Sequence, residues 1–417
     1  MEHTLHMTVT AVPTNIDLTE PEAFADGIPH DLFKRLRREA PVAWHPERGS
    51  DGFWCVTRHP DVVAVNRDAE AQSTARMGTM MFDRPELADP AAPRMMIEMD
   101  PPQHTRYRLL VNRGFTPRMI GKLEDFMRAV TTRTLDRVVS KGAADFVDDI
   151  AAELPIQVIA EMLGAPEEDR PRLFELSNMI IGFDEPEYGA VGNRPADNAM
   201  MEMYGYANRI GAEHRAALDA GDDPHDIVSA LLTAEVDGER LSELEFDMFF
   251  LLLTVAGNET TRTAIAQGML AFIQHPDQWE RLREDRSLLP TAVEEILRYS
   301  TPILHFRRTA SHATEVAGQP INEGDKVVIW YASANFDEEV FTDPLRFDVG
   351  RTPNEHVTFG AGGPHYCLGA NLAKLELKVM FEQLLDRLPS VKLAGQVERL
   401  RSNFNNGLKR LPVRWNT

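Results

Sequence analysis

From Thr105 onward, apolar residues recur at intervals of three and four, the spacing that lines one face of a helix. This pattern predicts long amphipathic helices over about Met119–Ser140, Ile150–Leu163, Ala199–Asp219, Glu243–Gln274 and Leu288–Tyr299. The chain before that point is mixed. Asp31–Arg38 has helical spacing, whereas Phe53-Trp54-Cys55-Val56-Thr57 reads as a buried strand followed by a turn at His59-Pro60. Strand-like runs return at Val327–Tyr331 and near the C-terminus. The expected fold class is therefore mainly α with a small β-rich lobe. No Gly/Ser linker, low-complexity tract or fixed-period repeat divides the chain, so a flexible N-terminal segment (1–28) and one domain (29–417) are expected.

Composition narrows the function. With 43% hydrophobic and 26% charged residues among 417, the chain has the make-up of a globular protein. Its formal charge of −21 argues against nucleic acid and anionic membrane surfaces as partners. No apolar run is long enough to span a bilayer, and Met1–Leu18 lacks the basic-then-apolar order of a signal peptide, so a cytoplasmic protein without a membrane anchor is expected. Two cysteines are too few for a structural zinc site. Cys55 lies within the strand-like run and reads as core.

Cys367 is different. It sits in Gly363-Pro364-His365-Tyr366-Cys367-Leu368-Gly369, directly before the helical pattern Ala370–Leu377. Backbone N–H groups at a helix N-terminus stabilise a thiolate, and glycines allow the backbone to approach a flat cofactor closely. A lone thiolate on a haem iron favours O–O cleavage. A cysteine that merely packs is the ordinary alternative, but the glycines, Phe359 upstream and His365 favour the ligand. A second cluster, Ala256-Gly257-Asn258-Glu259-Thr260-Thr261, places an acid beside two alcohols inside a helix flanked by apolar residues. Such hydroxyls bond back to the preceding turn and can open the helix locally, and a buried acid–alcohol pair suggests a functional site rather than a cap.

The cysteine loop resembles the haem-ligand signature of cytochromes P-450, and the resemblance runs from about Pro29 to the end of the chain. It implies the cytochrome P-450 fold, haem b with Cys367 as axial ligand to the iron, and a single haem-binding domain. Phe359, Gly363, His365 and Gly369 fall on the cofactor loop. Phe359 lies eight residues before Cys367, one more than is usual, which looks like the loop of bacterial members acting on methyl-branched lipids and sterols. Ala256 and Gly257 would lie over the cofactor. The resemblance makes Glu259 and Thr260 the oxygen-activation site, with Thr260 as hydrogen-bond partner and Glu259 as proton relay. His104, Arg108, Arg308 and His365 match positions that grip haem propionates, and Arg308 is preferred to Arg307 because it aligns with the family's Arg-x-Ala. Glu295 and Arg298, three apart on a helix, would join Arg346 in a buried network behind the cysteine loop. Phe336 and Lys374 stand where the family mostly has arginine.

On the substrate side, Met77, Met80, Met81, Met95, Met96 and Met99, then Met179, Met200, Met201 and Met203, fall in the two regions expected to roof the pocket. With Phe82, Ile180, Ile181 and Phe183 they suggest an adaptable apolar surface for an elongated substrate. Pro85, Pro90, Pro93, Gly182, Pro186 and Gly189 suggest loops and a mobile lid. No flavin or iron–sulfur motif is present, so a ferredoxin or flavodoxin with its reductase is expected as electron donor, docking near Arg113, Arg118, Lys374 and Lys378. The leading reading is a haem-thiolate monooxygenase hydroxylating an unactivated C–H of a methyl-branched lipid, terpenoid or sterol with O2 and two electrons. A peroxide-driven peroxygenase and a non-catalytic haem sensor are the alternatives. The first would not need the Glu259–Thr260 pair, and the second would normally bring an output domain. A thiol hydrolase using Cys367 and His365 fails for lack of an orienting acid.

Overall fold

A computed structural model describes residues 16–416 except 90, 189–193, 223–225 and 237. Pro90 and Gly189, two of the expected loop markers, lie outside the described residues. Fourteen helices are found among the described residues. The first seven are α1 (His30–Glu39), α2 (His59–Arg67), α3 (Gln103–Val111), α4 (Pro117–Lys122), α5 (Glu124–Val138), α6 (Glu153–Met162) and α7 (Arg170–Ile181). The others are α8 (Arg194–Asp219), α9 (Ile227–Thr233), α10 (Glu243–Gln274), α11 (Pro276–Glu284), α12 (Leu289–Ser300), α13 (Tyr331–Ala334) and α14 (Ala370–Arg387). The largest apolar core lies among α5, α6, α8, α10, α12 and α14.

α10 is the axis of that core. Its start is fixed by a capping box, in which the Ser242 hydroxyl accepts from the Glu245 N–H at 3.3 Å and the Glu245 carboxylate accepts from the Ser242 N–H at 2.7 Å. Gly268 lets two neighbours come close, since a Cβ there would lie 2.8 Å from Ile296 and 2.9 Å from Phe381. The helix is continuous through Ala256–Thr261. The expected hydroxyl back-bond is present at Thr260, yet it does not open the helix.

The β lobe is a five-stranded sheet ordered Val42–His45, Phe53–Val56, Lys326–Trp330, His305–Ala310 and Gln72–Ser73. Phe53–Val56 pairs parallel with Lys326–Trp330, and the remaining pairs are antiparallel. Cys55 is fully buried there, as its apolar run suggested. Two expectations need correction. His59-Pro60 opens α2 rather than forming a free turn, because Pro is favoured in a helix's first turn. The 1–28 boundary fails for the described residues: Leu18 is buried, and Phe24 stacks on Trp330 at 5.7 Å, joining the core of the β lobe. Gly182 and Pro186 lie in the connection between α7 and α8, with Met179 in α7 and Met200, Met201 and Met203 in α8, the helix expected over Ala199–Asp219.

Candidate active site

α14, α10 and the strand His305–Ala310 enclose a cavity together with Met96, Ile97, α3 and the segment around Phe359. The space between them, about 1440 Å³, includes a part open to solvent. The wall is mostly apolar, from Met96, Ile97, Phe115, Ile159, Leu252 and Leu253. Of the ten roof methionines, only Met96 lines it; Met203 is buried in the helical core and Met201 points to solvent. Helical periodicity places those side chains, and their loop-based grouping did not capture it.

The cysteine loop turns sharply before it reaches α14. Gly360, Ala361, Gly362 and Gly363 have φ of 91°, 51°, 91° and 81°, four consecutive residues in the left-handed region. The Phe359 carbonyl then accepts from the Cys367 N–H at 2.9 Å. Cys367 is deep in the molecule, yet its surface is accessible because it faces the cavity. Burial raises its thiol pKa, while the Gly369 N–H and the Arg108 charge pull it back down. Gly369 lines the cavity with open space beside its Cα. Gly363 does not line it: a Cβ there would sit 2.4 Å from the Asn66 carbonyl, so this glycine serves the packing of the loop on α2, not a cofactor.

Four basic side chains converge on the same cavity. His104, Arg108, Arg308 and His365 all line it. The two imidazoles lie 4.2 Å apart, and burial holds both neutral, with pKa values lowered to about 4 for His104 and about 2 for His365. Arg308 is buried, donating to the Arg307 carbonyl at 2.8 Å and to Asn66 Oδ1 at 3.0 Å, with the Tyr331 hydroxyl beside it. Among the described residues no carboxylate pairs with Arg108 or Arg308, and burial lowers the pKa of both. Two guanidiniums without a carboxylate partner among the described residues, beside an accessible cysteine, fit a ligand that carries two carboxylates and a metal. Arg307, on the opposite face of the strand, instead binds Asp83 at 2.6 Å.

α10 divides the acid–alcohol pair. Ala256, Gly257, Thr260 and Thr261 line the cavity, and the Thr260 hydroxyl donates to the Ala256 carbonyl at 2.8 Å. Gly257 also admits Ile159 of α6, whose Cδ1 would lie 3.0 Å from an added Cβ. Glu259 is off the cavity wall. Its carboxylate is ion-paired with the buried Arg262 and accepts from Asn405 at 3.1 Å. Arg262 in turn donates to Asn178 of α7 at 3.0 Å. The sequence contained a signal for Arg262, an opposite charge three residues on.

Behind the cysteine loop, Glu295 and Arg298 form a fully buried bidentate pair with both N···O distances 2.8 Å. The third side chain is not Arg346. Arg346 is exposed and contributes its backbone carbonyl, whereas Arg351 Nε reaches the Glu295 oxygens at 3.1 and 3.2 Å. The turn at Asp343–Arg351 points the first arginine outward and the second inward, a geometry that spacing along the chain does not encode. Phe336 lies against the Arg298 guanidinium at 5.2 Å. Lys374 pairs with Glu294 at 2.8 Å and lies 5.5 Å from the Phe359 ring centroid; Phe359 itself is part of the cavity wall.

A family model, Cytochrome P450, matches residues 21–414. The chain belongs to the cytochrome P450 family. It is 41% identical to a steroid C26-monooxygenase of Rhodococcus jostii over 97% of this chain and 86% of that protein. A methyl-branched lipid omega-hydroxylase of Mycobacterium bovis is 39% identical over 94% of this chain and 92% of its own length. A cytochrome P450 of Mycobacterium marinum, CYP268A2 in complex with pseudoionone, superposes with a TM-score of 0.85 at 38% identity, covering 93% of this chain and 94% of the other. This cytochrome P450 is thus a haem b monooxygenase using O2, electrons from a redox partner and an organic substrate. Of its two cysteines, only Cys367 reaches the cavity. Among the described residues, no helix is long and apolar enough to cross a membrane.

Proposed function

We propose that this P450 hydroxylates an unactivated C–H of a sterol, terpenoid or methyl-branched lipid in the cytoplasm, with a ferredoxin- or flavodoxin-type donor. The observation that carries the substrate class is the 41% identity to a steroid C26-monooxygenase across nearly the whole chain. The apolar wall from Met96 to Leu253 supports it, since such a surface gains about 25 cal/mol for each Å² of hydrocarbon it desolvates. Bound haem supplies O2 activation. Cys367 would ligate its iron, with Phe359 and Gly369 on the same cavity wall. His104, Arg108, Arg308 and His365 would hold the propionates. Thr260 would hydrogen-bond the oxygen substrate from the α10 side, and Glu259 could pass protons only after leaving Arg262.

The experiment is an optical titration of the ferric holoprotein with sterols, methyl-branched lipids, terpenoids and straight-chain fatty acids. A low-to-high-spin shift with one of the first three classes is expected. A shift with none of them, or with polar metabolites instead, would overturn the lipid reading. For the donor, Arg118 and Lys378 have no carboxylate within ion-pair distance among the described residues, whereas Lys374 is tied to Glu294. The side chain of Arg113, also expected in this patch, lies outside what the structure describes. Charge reversal at Arg118 and Lys378 should slow reduction and leave the titration unchanged.

A further inference from the structure

Met96 and Ile97 belong to the cavity wall and are the two inner residues of one tight turn. The Met95 carbonyl accepts from the Glu98 N–H at 2.8 Å, and the Glu98 carboxylate accepts from the Met95 N–H at 3.3 Å. Glu98 thus closes the turn twice, by backbone and by side chain. The same carboxylate is ion-paired with Arg84, fourteen residues earlier in the chain. Glu98 is buried, whereas Arg84 is partly exposed and also binds Glu86 at 2.8 Å. Gly78, with a φ of 80°, passes so close that a Cβ there would lie 3.3 Å from Leu87 and 3.4 Å from Glu98 Oε1. Burial raises the Glu98 pKa, while the Arg84 charge and the Met95 N–H oppose the rise. The chain is anchored on either side of this clasp. Asp83 is held by the buried Arg307 at 2.6 Å and the buried Lys326 at 3.2 Å, and Asp100 accepts from the Ser73 hydroxyl and from the Thr74 N–H at 2.8 Å.

We propose that Glu98 is a positioning residue for the substrate: held by Arg84, it fixes Met96 and Ile97 on the cavity wall and so decides which C–H of the guest is oxidised. A long hydrocarbon offers many C–H bonds of nearly equal strength, so the choice among them falls to the wall that holds the chain. A misplacement of about 1 Å costs on the order of a hundredfold in rate. Methionine is flexible by itself, and a turn closed twice by one residue restricts where its backbone can stand. As a stabilising device the pair is a poor choice, since apolar residues of similar volume often match or better a buried ion pair. A carboxylate buried directly after the two wall residues is accounted for by their placement. This role deepens the lipid reading above and rests on it.

Two measurements test it, and the first needs no substrate. In the ligand-free holoprotein the amides of Met95–Met99 should exchange with D2O about tenfold faster in Glu98→Ala than in wild type, the scale of one lost hydrogen bond to a charged group, with α10 unchanged. Glu98→Gln keeps an acceptor for the Met95 N–H and should recover part of the protection. In the second measurement, with a lipid that shifts the spin state, the ratio of major to minor hydroxylated regioisomer should fall about tenfold in Glu98→Ala. The high-spin fraction at saturation should fall with it, and Glu98→Gln should again recover part of both. A residue that only stabilised the fold would lower the unfolding midpoint and leave the regioisomer ratio where it was. Unchanged exchange, or an unchanged ratio in the folded variant, overturns the proposal. Should Glu98→Ala not fold, Arg84→Ala replaces it, with both readings expected to move in the same direction and no movement overturning the assignment. If no lipid shifts the spin state of the wild type, the substrate reading fails, while hydrogen exchange still decides whether Glu98 fixes the wall.

Discussion

Around Glu295, polar groups answer one another in a closed set. Its two oxygens receive Arg298, Arg351, Asn354 and the Asp348 N–H, all within 3.2 Å, and both Glu295 and Arg298 are fully buried. Between α7, α8 and residues 76–99 several of the contacts lie at the surface. The Phe82 and Phe183 rings meet edge-on at 5.9 Å with Phe82 half exposed, and Arg172–Glu202 is an open surface pair. Exposed pairs contribute about 0–1 kcal/mol, whereas a buried charge stripped of its partner costs several. The side that carries the cysteine is thus held in one geometry by buried pairs, whereas the region expected to roof the cavity is joined in part by exposed ones. The same molecule needs both, because a fixed ligand position and a variable hydrophobic guest are opposed demands.

The comparison breaks most severely at Glu295. Glu295→Gln leaves Arg298 and Arg351 without their anion, and a loss of about 3–5 kcal/mol is expected in denaturant unfolding; a loss under about 1 kcal/mol would mean that the network is not closed. Arg351→Ala should cost about 2–4 kcal/mol, while Arg346→Ala should stay within about 0.5 kcal/mol. Equal effects would restore Arg346 to the network. Gly363→Ala drives a Cβ toward the Asn66 carbonyl at a φ of 81°, with an expected loss of about 2–3 kcal/mol on the same assay.

On the other side, effects should be smaller and conditional. His214 of α8 places its ring nitrogens 2.9 Å from the Ile210 carbonyl and 2.6 Å from Asp226, which caps α9. Asp226 raises the His214 pKa, and Asp226's own is lowered. The histidine's contribution is therefore complete below its ordinary value near 6.5 and is lost as pH climbs through the raised folded value. The aspartate's contribution is present above its ordinary value and is lost as pH falls through the depressed one. The stability gap between wild type and His214→Gln should shrink as pH rises from about 6 to about 9; a gap that widens would reverse the assignment. Smallest of all, Phe82→Ala should change stability by under about 1 kcal/mol, yet stopped-flow mixing should show faster arrival and departure of a spin-shifting ligand. Unchanged rates would remove Phe82 and Phe183 from the lid.

Much of this was legible along the chain because it depends on local spacing. Glu295 and Arg298 stand three apart on one helix, Cys367 precedes α14 directly, and the apolar flanks of Ala256–Thr261 marked that cluster of α10 as buried. What spacing could not supply was direction at long range. Arg351 lies 56 residues from Glu295, Glu376 differs from the other acids of α14 only in what surrounds it, and Met96 was one methionine among ten. Glu259 was readable as an acid beside an alcohol, but its commitment to Arg262 and Asn405 depends on how the C-terminal segment folds back over α10.

The amino-acid sequence alone determined the helical class, through its periodicity, and singled out Cys367, through its glycine loop, whereas the basic residues were legible only through the family resemblance of their motifs. The tertiary structure decided which arginine closes the buried network, which of the acids faces the cavity and which of the ten roof methionines lines it. Those choices turn on desolvation and on contacts between segments far apart in the chain, and they exist only once the core has closed around them.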